Sequence, residues 1–131
     1  MSKPLVEVEI SGKKLNAILD TGSRRSYIRK EHVGEFPKAP VEPFGVMLGG
    51  KAYRFDEVRI VTGLVKDTEE RKYRFTERLF EVEDLGEENG KKIDILFGAG
   101  ILEDWGADID ESVVPPRVDF CILRKGELVE L

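Results

Sequence analysis

Ala17-Ile18-Leu19-Asp20-Thr21-Gly22-Ser23 sets an acid directly behind a short apolar run. The run reads as a buried strand, and the acid, hydroxyl and glycine read as the turn it enters. A carboxylate placed there is presented at the end of a rigid element, and Gly22 lets the backbone turn and approach a ligand closely. The same tetrapeptide also has a plain reading, a turn in which Asp20 accepts hydrogen bonds from backbone N–H groups. Upstream, Val6, Val8 and Ile10 alternate with Glu7 and Glu9, which predicts a half-buried strand over residues 5–10. Ser11-Gly12-Lys13-Lys14 is a turn signal, so residues 5–10 and 15–19 form a hairpin whose second arm ends at Asp20.

Working outward, residues 24–33 predict a short strand and a helical turn. Residues 35–44, with Pro37, Pro40 and Pro43, predict an extended loop. Residues 44–48 are apolar apart from Gly45. Gly49-Gly50 is a hairpin turn, and Ala52-Tyr53-Arg54-Phe55 is its returning arm. Strands follow over residues 58–65, interrupted at Gly63, and over 73–82; residues 86–92 are a charged loop. Ile93 to Phe97 is a short apolar strand. Residues 98–106 predict a helix, with Ile101, Leu102 and Trp105 at helical spacing and Gly106 as its stop. Residues 117–123 and 127–131 predict a closing hairpin around Lys125-Gly126. About eight short strands with dense turns and one helix make an all-β chain, closed or sandwiched.

The 131 residues suffice for one domain, taken as 1–131. With 21 Lys+Arg against 26 Asp+Glu, the net charge is −5, which argues against a nucleic-acid partner. The apolar runs are short and charge-broken, so no membrane span is expected, and the N-terminal residues carry no apolar leader. The expected location is therefore cytoplasmic. One cysteine, Cys121, excludes an intrachain disulfide and a cysteine zinc site, and one histidine, His32, speaks against a Ser-His-Asp triad. No metal and no cofactor are expected. The absence of Gln and the presence of only two Asn resemble thermophile composition.

In this frame Asp20-Thr21-Gly22-Ser23 resembles the catalytic segment of the retropepsins, the retroviral-type aspartic proteases, in a cellular or prokaryotic form. The Gly49-Gly50 hairpin, between Met47-Leu48 and Ala52-Tyr53, resembles the flap that covers the substrate in that family. Ile95-Leu96-Phe97-Gly98 and the helix behind it resemble the family's apolar-apolar-glycine segment beside the catalytic loop. The resemblance covers about residues 5–110. It implies a retropepsin-like half-barrel with one short C-terminal helix, working as a homodimer.

The resemblance further implies an aspartic endopeptidase in which Asp20 and its symmetry mate form the dyad. Two carboxyl groups about 3 Å apart share one proton and supply both the base that activates water and the acid that protonates the amide. Thr21 would brace the two loops, and Gly22 would accept a hydrogen bond from the substrate backbone. Ile18, Met47, Leu48, Gly49, Gly50 and Leu96 would line the site of a peptide or protein substrate.

The chain also departs from the viral pattern. Arg24 and Arg25 stand where viral enzymes carry acids, and Ala99 stands where they carry a bracing arginine. The alternative reading is a catalytically silent module of the same fold, used for dimerisation or peptide binding. Gly98-Ala99-Gly100 fails as a dinucleotide turn because position 103 is Glu103. Asp104, Asp108, Asp110 and Glu111 lack EF-hand spacing and read as a solvated edge. His32 reads as a surface residue, Cys121 as a buried small hydrophobe and Trp105 as a core anchor.

Overall fold

The computed structural model describes residues 3–128. Strands β1 (Leu5–Ile10) and β2 (Lys13–Leu19) form the expected hairpin, in register from Leu5 opposite Ile18 to Ile10 opposite Lys13. Ser11 and Gly12 are left as a two-residue turn with φ of 51° and 80°, the left-handed pair that matches strand twist. Val6, Val8 and Ile10 are buried, and the glutamates between them are partly exposed.

Next come β3 (Tyr27–Arg29), a 3₁₀ turn at Lys30–His32, β4 (Lys38–Leu48), β5 (Lys51–Lys66) and β6 (Lys72–Val82). The two-residue strands β7 (Glu87–Glu88) and β8 (Lys91–Lys92) make a minor hairpin. They lead to β9 (Ile95–Phe97), helix α1 (Ala99–Trp105), β10 (Ala107–Asp110), β11 (Arg117–Phe120) and helix α2 (Cys121–Leu128). The main sheet runs β1-β2-β9-β3-β6-β5-β4, and β1 also pairs with β5 through Val8–Val65 and Glu9–Leu64. That extra pairing closes six strands into a barrel-like ring, with β4 hanging from β5. This is the all-β, retropepsin-like fold read from the sequence.

The ring encloses the larger core, which includes Val8, Leu19, Ile28, Phe75, Phe97, Trp105 and Phe120. A second, aromatic cluster of Tyr27, Phe55 and Phe80, joined by Phe44 and Tyr53, packs where the β4–β5 arm leaves the ring. Helix α1 ends as expected. Gly106 takes the left-handed conformation, φ 66° and ψ 43°, and its N–H bonds Glu103.

Two expectations are corrected. Residues 38–44 belong to β4 rather than to an extended loop. Proline is tolerated there because β4 is the sheet edge, and the register shifts between Pro40 and Phe44. The closing hairpin over 117–131 does not form. β11 pairs instead with β10, Asp108 opposite Asp119, and the chain then turns into α2. Lys125 and Gly126 lie within that helix. Asp119 holds Arg124 through two charged hydrogen bonds, and the Cys121 N–H caps the Gly106 carbonyl. The rest of the expected second arm, residues 129–131, lies outside the described residues.

Candidate active site

Parallel pairing of β2 with β9 sets Ala17, Ile18 and Leu19 beside Ile95, Leu96 and Phe97. The two strands end at the same level, so Asp20 and Gly98 emerge side by side. The Asp20 N–H donates to the Phe97 carbonyl at 2.9 Å. The loop that follows is braced from both sides. The Ser23 N–H donates to the Asp20 carbonyl at 3.1 Å, the Ala99 N–H to the Ser23 carbonyl at 2.6 Å, and the Gly98 N–H to the buried Ser26 Oγ at 2.8 Å. Only hydrogen fits on the Gly98 Cα. A Cβ there would meet the Ser23 carbonyl oxygen at 2.6 Å and the Arg25 carbonyl oxygen closer still. The glycine of Phe97-Gly98 is therefore required by close backbone approach.

Both readings of the tetrapeptide are realised in part. Asp20 Oδ1 accepts the Gly22 N–H at 3.0 Å, the ordinary turn contact, while Oδ2 accepts Lys3 Nζ at 3.1 Å. The Asp20 side chain is 17% exposed, and Thr21 and Gly22 are exposed beside it. Thr21 opens onto a groove lined by Ala99, Leu102, Ala107 and Ile109, which is mostly apolar.

The expected binding residues fall into two groups. Ile18 is buried and Leu96 is half-buried next to it across the β2–β9 ladder, both within two or three residues of the loop. Met47, Leu48, Gly49 and Gly50 form the tip of the β4–β5 hairpin. Its turn has φ of 57° and 79° at the two glycines, as a Gly-Gly hairpin requires. Met47 is 64% exposed, and Leu48 leans on the aromatic cluster. A cation–π contact links the Asp20 loop to the β4–β5 arm: the Arg25 guanidinium of the loop lies 3.8 Å from the Phe44 ring of β4.

Behind the loop, Trp105 packs on Phe97 at 4.8 Å and Phe120 at 5.4 Å, which joins α1 to the strand that carries Gly98. Trp105 Nε1–H donates to Glu77, and partial burial pushes the Glu77 carboxyl above its usual range.

Two residues at the site were not anticipated. Ser26 carries no motif signal. Lys3 was recoverable from register alone: if Leu5 faces Ile18 and the Leu19 N–H bonds the Pro4 carbonyl at 3.0 Å, position 3 must face position 20. Elsewhere, His32 is not a surface residue. Its side chain is 11% exposed and bonds Asp94 at 2.8 Å, away from the loop. Cys121 is half-buried rather than buried.

A family model described as retroviral aspartyl protease matches residues 1–110. Among solved structures the chain is similar to EIAV protease complexed with the inhibitor HBY-793. The identity is 21% and the TM-score 0.48, over 81% of this chain and 90% of that one. It is also similar to a Legionella pneumophila protein of unknown function (DUF785), at 14% identity and TM-score 0.41, over 80% of this chain and 87% of that one. No curated protein matches the chain.

Proposed function

The chain belongs to the retroviral aspartyl protease family, and on that premise we propose that it is an aspartic endopeptidase active as a homodimer. The observation that supports this most directly is the setting of Asp20. One carboxylate is held at the end of a buried strand, on a loop tied by five hydrogen bonds within itself and to the parallel strand and its extension. General acid–base hydrolysis without metal, serine or cysteine needs two such groups, and the chain has one Asp-Thr-Gly. A two-fold axis beside Thr21 supplies the second from a partner copy and lets the pair share one proton. The exposed Thr21 and the apolar groove beside it suit such a contact. The Gly49-Gly50 hairpin would act as the flap over an extended peptide, whose backbone adds to a strand edge.

Peptide cleavage by the wild type, by Asp20→Asn and by mixtures of the two tests this reading. Asp20→Asn keeps the shape and cannot transfer the proton, so it should be inactive. In excess it should also poison the wild type, since heterodimers hold one carboxylate. Equal activity of the two proteins, or activity strictly proportional to concentration in a monodisperse monomer, would refute the dyad.

One observation favours the silent module. Lys3 Nζ lies 3.1 Å from Asp20 Oδ2, so this carboxylate oxygen is occupied by an ion pair rather than open towards a second carboxyl group. Under that reading the dimer forms and the wild type cuts no peptide, whereas Lys3→Ala, which removes the ion pair, gains cleavage if that contact is what silences the site.

A further inference from the structure

We propose that a concavity beside the catalytic loop is a subsite for an acidic side chain of the bound peptide; the peptide's presence there rests on the protease reading, the charge preference does not. Arg24, Arg25 and Arg78 line it, over apolar contacts from Ile60, Phe80 and Ile101. Its lining includes Arg24, Arg25 and Ser26 of the loop that starts at Asp20, and Ser26 Oγ accepts the N–H of Gly98 beside that acid.

Three observations carry the charge preference. First, among the described residues five arginines make no ion pair, Arg24, Arg25, Arg54, Arg74 and Arg78, and three of them, Arg24, Arg25 and Arg78, meet at this hollow, whereas Arg29, Arg59, Arg71, Arg117 and Arg124 each pair with a carboxylate. Unpaired guanidinium groups gathered at one hollow in a chain of net charge −5 are a local reversal of sign. Second, Arg25 is already positioned. Its face lies on Phe44, which itself packs edge-on against Phe80 at 5.1 Å. A stacked guanidinium still presents its N–H edge, in the fork geometry that a carboxylate accepts. Third, the two acids at the rim do not cancel the charge. Glu77 accepts the Trp105 indole N–H, and Glu77 and Asp104 together stand against three arginines.

The apolar contacts favour an amino-acid side chain with a methylene stem over a bare anion. A nucleic acid would meet the repulsion of the acidic remainder of the surface.

The test uses octapeptides of one apolar sequence with a single Glu, Gln or Lys walked through every position. Binding is measured on full-length Asp20→Asn by fluorescence anisotropy, and cleavage by the wild type is measured by mass spectrometry. At one position Glu should exceed Gln by about ten-fold in affinity and in kcat/KM, the size of a charge-assisted hydrogen bond. The advantage should shrink in about 0.5 M salt. The double variant Arg24→Glu/Arg78→Glu should reverse the preference towards Lys, which loss of packing alone would not do. Arg24→Gln and Arg78→Gln, each checked for folding by circular dichroism, cover the case in which the double variant does not fold. The proposal is overturned if no position favours Glu over Gln, if the preference survives the variants, or if a single-stranded oligonucleotide displaces the peptide at equal concentration. A Glu preference in binding with no cleavage by the wild type would sink the protease reading and leave the subsite standing.

Discussion

Gly98→Ala should damage the site more than any other single-methyl change near it. The added Cβ would lie 2.6 Å from the Ser23 carbonyl oxygen, against a closest tolerable approach of about 3.0 Å, and still closer to the Arg25 carbonyl. Both obstacles are backbone, so the loop must move by at least 0.4 Å, the difference of those two distances. The motion stretches the hydrogen bonds from Gly98 to Ser26 and from Ala99 to Ser23, each worth about 1 kcal/mol. Overpacking itself adds about 1–2 kcal/mol. The total is about 3–4 kcal/mol, or a fall in Tm of roughly 10–15 °C for a chain of this size. Because Asp20 begins the displaced loop, turnover should fall by about a hundred-fold even where the protein remains folded. Urea denaturation and peptide cleavage on the same preparation measure both effects. Gly100→Ala is the stability control, since its Cβ would meet only the Arg24 carbonyl, at 3.6 Å, and it gains helix propensity. A Gly98→Ala protein with wild-type midpoint and turnover, or one no worse than Gly100→Ala, would refute the close-approach argument.

Replacing Gly49 and Gly50 with valine forces β-branched residues into φ of 57° and 79°. This should cost about 1–3 kcal/mol in thermal unfolding, and under the flap reading it should lower kcat/KM further than a matched surface destabilisation does. Trp105→Ala removes a ring that touches Phe75, Phe97 and Phe120, and should cost about 3–5 kcal/mol in denaturant unfolding. The hydrogen bonds from Arg124 hold the Asp119 carboxyl below its usual range. That stabilisation is therefore present above the unfolded value of about 3.9 and is lost as pH falls through the lower folded value. Wild type and Asp119→Asn should differ in Tm near neutral pH and converge in acid. A shared-proton dyad predicts a bell-shaped pH–rate profile, and a rate still rising at high pH would count against it.

Much of the positioning frame was legible from local pattern. Alternation over residues 5–10, the Ser11-Gly12 and Gly49-Gly50 turns, and the spacing of Ile101, Leu102 and Trp105 before Gly106 are short-range signals, and each produced its element. Asp20 was legible as a candidate because a strand running into Asp-Thr-Gly is itself local. Pairing partners were not legible. The parallel β2–β9 contact joins residues 17–19 to 95–97, and no periodicity states which strand lies beside which. For the same reason residues 117–123 and 127–131 read as the two arms of a closing hairpin, whereas β11 pairs with β10 and the chain continues as α2. Lys3 at Asp20, His32 against Asp94, and the gathering of Arg78 from β6 with Arg24 and Arg25 of the loop all depend on long-range packing. Sequence by itself determined most of the elements and the candidate acid, because hydrophobic period and turn chemistry act over a few residues. Tertiary structure alone decided what surrounds the acid, because sheet register and barrel closure are settled by which buried faces fit together across the whole chain.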